Sequence, residues 1–218
     1  MTWLSPAFPV GAFTYSHGLE WAVEDGTVTS AAALSTWLSD ILCHGAGRSD
    51  AILLVAAFRA AADGRSDDLL EVAELAYALQ PSKERRLESG AQGRAFATAI
   101  ADTWGAPTLV DLAGRLVPNP VAYPVAVATA AADHHLPLAE TTEAYLTAFA
   151  ANLVSAAVRA VPLGQTEGQR TIRTLAPIVS TVAADALSAS LDDIGGATLR
   201  ADIASMAHET QYTRLFRS

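Results

Sequence analysis

The stretch PVAYPVAVATAAAD, from Pro120 to Asp133, carries no charged residue before its final aspartate. Its alanine content and the absence of period-two alternation favour a helix with an internal Pro124 over a strand. A helix without a polar face must be covered by other parts of a protein. The stretch therefore predicts a buried helix, and the uncharged run Ala144–Val158 predicts a second one, covered either by the other helices or by a second copy.

Helix boundary signals divide the rest of the chain into further helices. Ser30 is a good N-cap for a helix that Gly45 ends, and Asp50 can cap the next helix. Further helices are predicted after Ser82 and near Gly164, Thr181 and Ala197. These signals predict an all-α fold, a single compact bundle of about ten helices over residues 1–218.

Composition and charge narrow the classes of function. The chain has 218 residues, of which 51% are hydrophobic and 17% charged, and its net charge is −9. An acidic chain without a basic tract is unsuited to nucleic acid, so we expect protein partners. The uncharged runs are shorter than the roughly 20 residues that span a bilayer. The single cysteine, Cys43, forms no internal disulfide, and no lysine or arginine precedes Arg48, so we expect a cytoplasmic protein.

Motifs of catalytic and metal sites are missing from the sequence. It contains no HExxH, CxxC, paired Glu-x-x-His, GxxxxGK[ST], GxGxxG or GxSxG motif. We therefore expect no catalytic residues, no bound cofactor and no tightly held metal. A helical-bundle metalloenzyme remains as an alternative, and its candidate ligands are His17, Glu20, His44, His134 and His135.

Three segments are too specific to serve only as helix punctuation. The arm SPAFPVGAFTYSHGLEWAVEDG, from Ser5 to Gly26, combines extended proline positions with a predicted helix that carries Phe13 and Tyr15. In VRAVPLGQTEGQR, from Val158 to Arg170, one long helix ends and another begins. In the tail, HETQYTRLFRS from His208 to Ser218, apolar residues lie between arginines, a composition suited to docking.

Together these segments resemble the UreF-type urease accessory proteins. The matching stretches are SPAFPVGAFTYSHGLE, VPLGQTEGQR and HETQYTRLFRS, which occur in order along the chain, whereas the middle matches only in pattern. Members of this family usually carry further residues ahead of the arm, often used in dimer contacts, and here Met1 lies only a few residues upstream.

The resemblance implies a non-catalytic protein that dimerises and has three partners. These partners are a scaffold subunit called UreD or UreH, the nickel-carrying GTPase UreG, and apo-urease. The complex would promote GTP-dependent insertion of nickel and the maturation of urease. A generic helical adaptor with other partners is the alternative, and copurification with these subunits would distinguish the two.

The resemblance also implies roles for particular residues. The first part of the arm, counted as residues 1–15, would contact the tail or a second copy through Phe13 and Tyr15, and the tail, residues 208–218, would dock on a partner. The tail residues that would bind the scaffold are Tyr212, Arg214, Leu215 and Phe216. The residues that would face the GTPase are Tyr145, Arg159, Gln165, Gln169 and Arg170, although core packing explains Tyr145 and helix capping explains Arg159 nearly as well.

Overall fold

The computed structural model describes residues 2–161 and 163–218, and these residues form ten α-helices and no strand. The helices are α1 (Leu19–Glu24), α2 (Ala31–His44), α3 (Ala46–Ala62), α4 (Ser66–Ala78), α5 (Lys83–Thr103), α6 (Pro107–Arg115), α7 (Tyr123–Asp133), α8 (Leu138–Ala160), α9 (Gln165–Ser188) and α10 (Leu199–His208). Short 3-10 turns cover Thr2–Leu4, Ala12–Thr14 and Leu191–Asp193. The predicted all-α fold is confirmed.

Helix α7 lies at the centre of the bundle. All residues from Pro124 to Ala132 are buried, with α3 and α5 packed along the helix. Small alanine side chains allow these neighbours to approach closely, which explains the alanine content of the stretch. Pro124 lies in the first turn, where no helical N–H is required, so the helix carries no internal proline break.

The second uncharged run lies on α8, which packs chiefly against α9. Its buried face includes Leu146, Leu153 and Val154, while Glu143, Thr147 and Ser155 are exposed. Other helices of the same chain therefore cover the apolar side of α8.

Two predicted helix starts were wrong. Asp50 does not cap α3, because the helix already begins at Ala46 and the buried carboxylate of Asp50 accepts a hydrogen bond from the Tyr145 hydroxyl at 2.7 Å. Thr181 does not start a separate helix, because α9 continues past Pro177 to Ser188 and the Thr181 hydroxyl donates to the Pro177 carbonyl.

One stretch has the length and composition of a membrane-spanning helix. Residues Ala31–Ala62 reach a mean hydropathy of 1.4 over their most apolar window, 61% of which is buried within the protein. This stretch is divided at Gly45 into α2 and α3, and both helices contribute leucine and isoleucine side chains to the core. Burial in the core thus accounts for its hydropathy.

The close contact between α5 and the segment before α7 generates a stability prediction. A Cβ atom at Gly93 would lie 2.0 Å from the backbone oxygen of Val121, a position that cannot move without shifting α7. We expect Gly93→Ala to lower the free energy of unfolding by about 1–3 kcal/mol or more, measured by urea denaturation.

Gly114→Ala on α6 is the matched control, because no atom lies within 4 Å of the added Cβ. It should leave stability unchanged or raise it by up to about 1 kcal/mol. Equal urea midpoints for the two variants would contradict the close packing of α5 against the entrance to α7.

Candidate partner-docking site

The C-terminal tail folds back onto the beginning of the chain. The backbone N–H of Arg217 donates to the Thr14 carbonyl at 2.8 Å, and the N–H of Ser16 donates to the Ser218 carbonyl at 2.6 Å. The Ser16 hydroxyl also donates to that carbonyl. The tail and the end of the arm are therefore held side by side by main-chain hydrogen bonds.

The carboxylate of Glu20, in the first turn of α1, binds two consecutive amides of the tail. Its Oε1 accepts from the Leu215 N–H at 2.6 Å and its Oε2 accepts from the Phe216 N–H at 3.0 Å. Glu20 is only 7% exposed, so these donors replace the water that its charge would otherwise require. Hydrogen bonds to a charged acceptor are stronger than those between neutral groups, and this pair determines where the tail lies.

His208, at the end of α10, lies between two carboxylates. Its Nε2 is 3.1 Å from Glu20 Oε2, and its Nδ1 is 2.6 Å from Glu84 Oε2 on α5. Each ring nitrogen of His208 thus has a carboxylate oxygen as its partner. The other oxygen of Glu84 accepts from Arg214 Nη1 at 2.8 Å. Glu84 thus joins α5 both to the end of α10 and to the tail.

Glu88, one turn further along α5, lies beneath the last residue of the tail. Its carboxylate accepts from the Ser218 hydroxyl at 2.6 Å and from His17 Nε2 at 2.7 Å, and it pairs with Arg85. Burial alone would raise the pKa of Glu88, but Arg85 and these hydrogen bonds lower it to about 2. Glu88 therefore stays ionised and keeps binding the tail at neutral pH.

Burial and the positive charge of Arg85 lower the pKa of His17 below its usual value. His17 is therefore an uncharged donor to Glu88 at neutral pH. Its backbone is left-handed, with φ of 57°, and Gly18 follows with φ of 74°. A Cβ at Gly18 would lie 2.5 Å from the backbone nitrogen of Ser205, so α10 packs directly against this turn.

An aromatic stack joins the tail to the arm and to α8. The guanidinium of Arg159 lies 3.8 Å from the centre of the Phe13 ring and 4.4 Å from the centre of the Phe216 ring. Its Nη2 also donates to the Phe13 carbonyl at 2.7 Å. Arginine over two rings adds cation–π attraction, and Phe216 is only 4% exposed. In this conformation Phe216 anchors the tail to its own chain.

The other apolar side chains of the tail point outward. Tyr212 is fully exposed and Leu215 is 71% exposed. On the preceding helix, α10, Leu199, Ile203 and Met206 are exposed at helical spacing. We call these five side chains the α10–tail surface. Five large exposed apolar groups on one helix and the segment that follows it are characteristic of an interaction site.

The arm differs from its predicted form. Phe13 and Tyr15 do not lie on a helix, because the chain makes a 3-10 turn at Ala12–Thr14 and α1 begins only at Leu19. The left-handed residues His17 and Gly18 interrupt any continuous helix. Phe13 is exposed and touches the tail through Arg159, whereas Tyr15 is buried.

The residues predicted to face the GTPase have three different placements. Tyr145 is 3% exposed and donates to Asp50, so it lies in the interior. Gln165, Gln169 and Arg170 are exposed on the first turns of α9, where Arg170 pairs with Glu167. Arg159 is half-buried at the end of α8. Besides its hydrogen bond to the Ser155 carbonyl of that helix, its guanidinium stacks on Phe13 of the arm and Phe216 of the tail.

Sequence reasoning missed the carboxylates that hold the tail. Glu84 and Glu88 occupy the first turns of a helix, where acidic residues are common for reasons of the helix dipole. Helix α5 as a whole has almost no apolar face, and the available signal was only that Glu88 precedes Phe96 by eight residues, on the same side of the helix. Glu20 was considered only as a metal ligand.

Three of the five proposed metal ligands are engaged with protein groups. His17 bonds to Glu88, Glu20 bonds to His208 and to the tail, and His134 Nε2 lies 2.7 Å from the Gly105 carbonyl. Within residues 2–161 and 163–218, no three His, Cys, Asp or Glu side chains are grouped so as to hold a metal ion.

The Glu20 contacts lead to a prediction about the tail. Glu20→Gln removes the negative charge and leaves one acceptor oxygen for two amides, so the tail should open more often. We expect at least about tenfold faster hydrogen–deuterium exchange at Leu215 and Phe216, measured by mass spectrometry or NMR. Glu71→Gln on the exposed face of α4 is the control, and equal exchange in both variants would show that Glu20 does not hold the tail.

A model of the UreF family matches residues 28–176 of the chain. This range includes the VPLGQTEGQR turn, while the arm before Gly26 and the tail lie outside it. The family match therefore rests on the helical body of the protein.

Full-length relatives extend the similarity to the arm and the tail. The urease accessory protein UreF of Rhodopseudomonas palustris strain HaA2 is 54% identical over 218 residues, which are 100% of this chain and 92% of that protein. The UreF proteins of Bradyrhizobium sp. strain BTAi1 and Xanthobacter autotrophicus strain Py2 are 54% and 56% identical, over 100% and 99% of this chain and 90% and 88% of their own lengths. The chain belongs to the UreF family of urease accessory proteins.

Proposed function

We propose that this chain is a non-catalytic subunit that joins the UreD/UreH scaffold to the UreG GTPase during GTP-dependent insertion of nickel into apo-urease. Nickel is the cargo of this complex, and this subunit itself holds no tightly bound metal or other cofactor. The complex acts in the cytoplasm, in keeping with a chain whose single cysteine is unpaired. Family membership supports the accessory role in urease maturation.

The observation that carries the proposal is the α10–tail surface. Glu20 and Phe216 hold the tail against the chain, and this placement leaves Tyr212 and Leu215 exposed, as are the outward side chains of α10. Because the tail is already ordered, a partner that binds this surface does not have to meet the full entropic cost of ordering it. We assign this surface to the scaffold subunit.

The second surface is formed by the exposed side chains of Gln165, Gln169 and Arg170 on the first turns of α9. This surface is polar, and the positive charge of Arg170 is paired with the negative charge of Glu167. We assign it to the GTPase. Arg159 contacts Phe216 of the tail and precedes α9 by six residues in the sequence. The working unit in this proposal is a homodimer, as the family resemblance implies.

The scaffold assignment is tested with exposed residues only. Deleting the tail would also uncover Glu20 and Glu88, so loss of binding could reflect damage to the fold. The double variant Tyr212→Ser, Leu215→Ser removes two exposed apolar anchors and no internal contact. We expect at least about tenfold weaker binding to purified UreD/UreH in calorimetry, with an unchanged melting temperature.

Val110→Ser on α6 is the control for this experiment, because Val110 is 53% exposed and lies far from the tail in sequence. It should bind the scaffold as the unmodified chain does. Full scaffold affinity in the double variant would overturn the assignment of the α10–tail surface.

The GTPase assignment makes a separate prediction. The double variant Gln169→Ala, Arg170→Ala should weaken binding of purified UreG about tenfold. Scaffold binding should stay unchanged, because both side chains are exposed on α9 and neither belongs to the α10–tail surface. Arg94→Ala on the exposed face of α5 is the control. If UreG binds the double variant and the control equally well, the first turns of α9 are not its binding surface.

A further inference from the structure

A cavity of about 270 Å³ lies beneath the arm. Arm residues between Leu4 and Phe13 form one side, and α3, α5, α7 and α8 form the rest. Its volume corresponds to the liquid volume of on the order of nine water molecules. A space of this size in a close-packed bundle is large enough for a small organic molecule, and neither the α10–tail surface nor the first turns of α9 contribute to it.

The floor of this cavity is polar and buried. It is lined by five polar side chains, each at most 6% exposed: Asp50, Arg85, Glu88, Gln92 and Tyr145. Buried charges are costly unless they are paired or bind something. The way in which each charge is satisfied therefore indicates what the cavity holds.

The charges of the floor leave one carboxylate in excess. Arg85 pairs with Glu88, and His17 at the edge is uncharged because burial lowers its pKa. Asp50 Oδ2 accepts from the Tyr145 hydroxyl at 2.7 Å, and Oδ1 accepts no hydrogen bond from any described residue. Asp50 is thus a nearly buried carboxylate with one oxygen available on the cavity side.

The walls of the cavity are aromatic. The lining includes Phe8, Phe13, Tyr123, Tyr145 and Phe149. The rings of Tyr123 and Tyr145 lie 5.7 Å apart, next to the carboxylate of Asp50 that Tyr145 contacts. Aromatic faces attract cations, and such rings around a buried carboxylate are the usual means of recognising an ammonium group in proteins.

We propose that this cavity binds a small alkylammonium ion. Its N–H donates to Asp50 Oδ1, and its alkyl group contacts the aromatic side chains of the arm and α8. The ion restores charge balance in the floor, because two carboxylates then face two cations. A neutral molecule of the same shape leaves Asp50 uncompensated, and an anion adds a second unpaired negative charge.

The pKa of Asp50 supports this assignment. Burial raises it from its usual value to about 6, against the opposing effects of Arg85 and the Tyr145 hydroxyl, with Glu88 adding to the increase. The other titratable groups near the floor are His17, Tyr123, whose pKa burial raises, and Asp202, which lies near Arg85. A carboxylate that is hard to ionise gains most from a bound cation.

The test uses n-propylammonium chloride as the probe, titrated into the full chain in the millimolar range by isothermal titration calorimetry. The matched controls are n-propanol, which has the same shape without charge, and sodium chloride. We expect saturable binding of n-propylammonium and none of the two controls. Absence of saturable binding would overturn the proposal, and equal binding of n-propanol would show that the cavity does not select for the positive charge.

Two further comparisons locate the binding at Asp50. Asp50→Asn keeps the acceptor for Tyr145 and should weaken binding at least about tenfold, whereas Asp102→Asn on the exposed face of α5 should not change it. Undiminished binding to Asp50→Asn would place the ion elsewhere and overturn the proposal.

The pH comparison needs only the unmodified chain. A pKa of about 6 leaves about one tenth of Asp50 ionised at pH 5 and nearly all of it at pH 8. Because protons compete with the ammonium ion, the dissociation constant should be about tenfold higher at pH 5 than at pH 8. Equal affinities at the two pH values would contradict the role of this carboxylate.

Discussion

The hydrogen bonds from the amides of Leu215 and Phe216 to the Glu20 carboxylate determine which side chains of the C-terminal tail are exposed. Glu20 lies on α1 and the tail lies 195 residues further along the chain, so this contact brings the two ends together. A nearly buried carboxylate needs donors, and the tail supplies them. Once the amides are bound, Phe216 turns inward onto Arg159, and Leu215 turns outward. The direction of each side chain follows from the backbone that Glu20 holds.

The second constraint is the small size of the side chains on α7 and of the α5 glycines that pack against the start of that helix. Alanine-rich sequence on α7 and Gly93 on α5 let three helices pass closely, and this packing places Arg85 and Glu88 on the inner side of α5. Those two charges then become the floor of the cavity beneath the arm and the support for Ser218. Helix α5 thus takes part both in the close packing of the core, through Gly93, and in the placement of charges beneath the tail, through Arg85 and Glu88.

Local pattern was sufficient to predict most of the fold. The uncharged runs and the capping residues Ser30 and Ser82 predicted the helices, because these signals act over a few residues. Asp50 was misassigned as a cap because its partner, Tyr145, lies 95 residues away. The composition of the tail predicted a docking segment, which stays a prediction, whereas its intramolecular partners Glu20, Glu84 and Glu88 resemble ordinary solvated helix residues. Their role depends on tertiary contacts that no local pattern records.

The central claim is that one chain holds the scaffold and the GTPase at two separate surfaces. Size-exclusion chromatography with multi-angle light scattering tests it most directly, with the purified chain, UreD/UreH and UreG mixed in the presence of GTP and nickel. The account predicts one species whose mass contains all three proteins, with this chain present as two copies. Formation of only binary complexes, with scaffold and GTPase displacing one another, would contradict it.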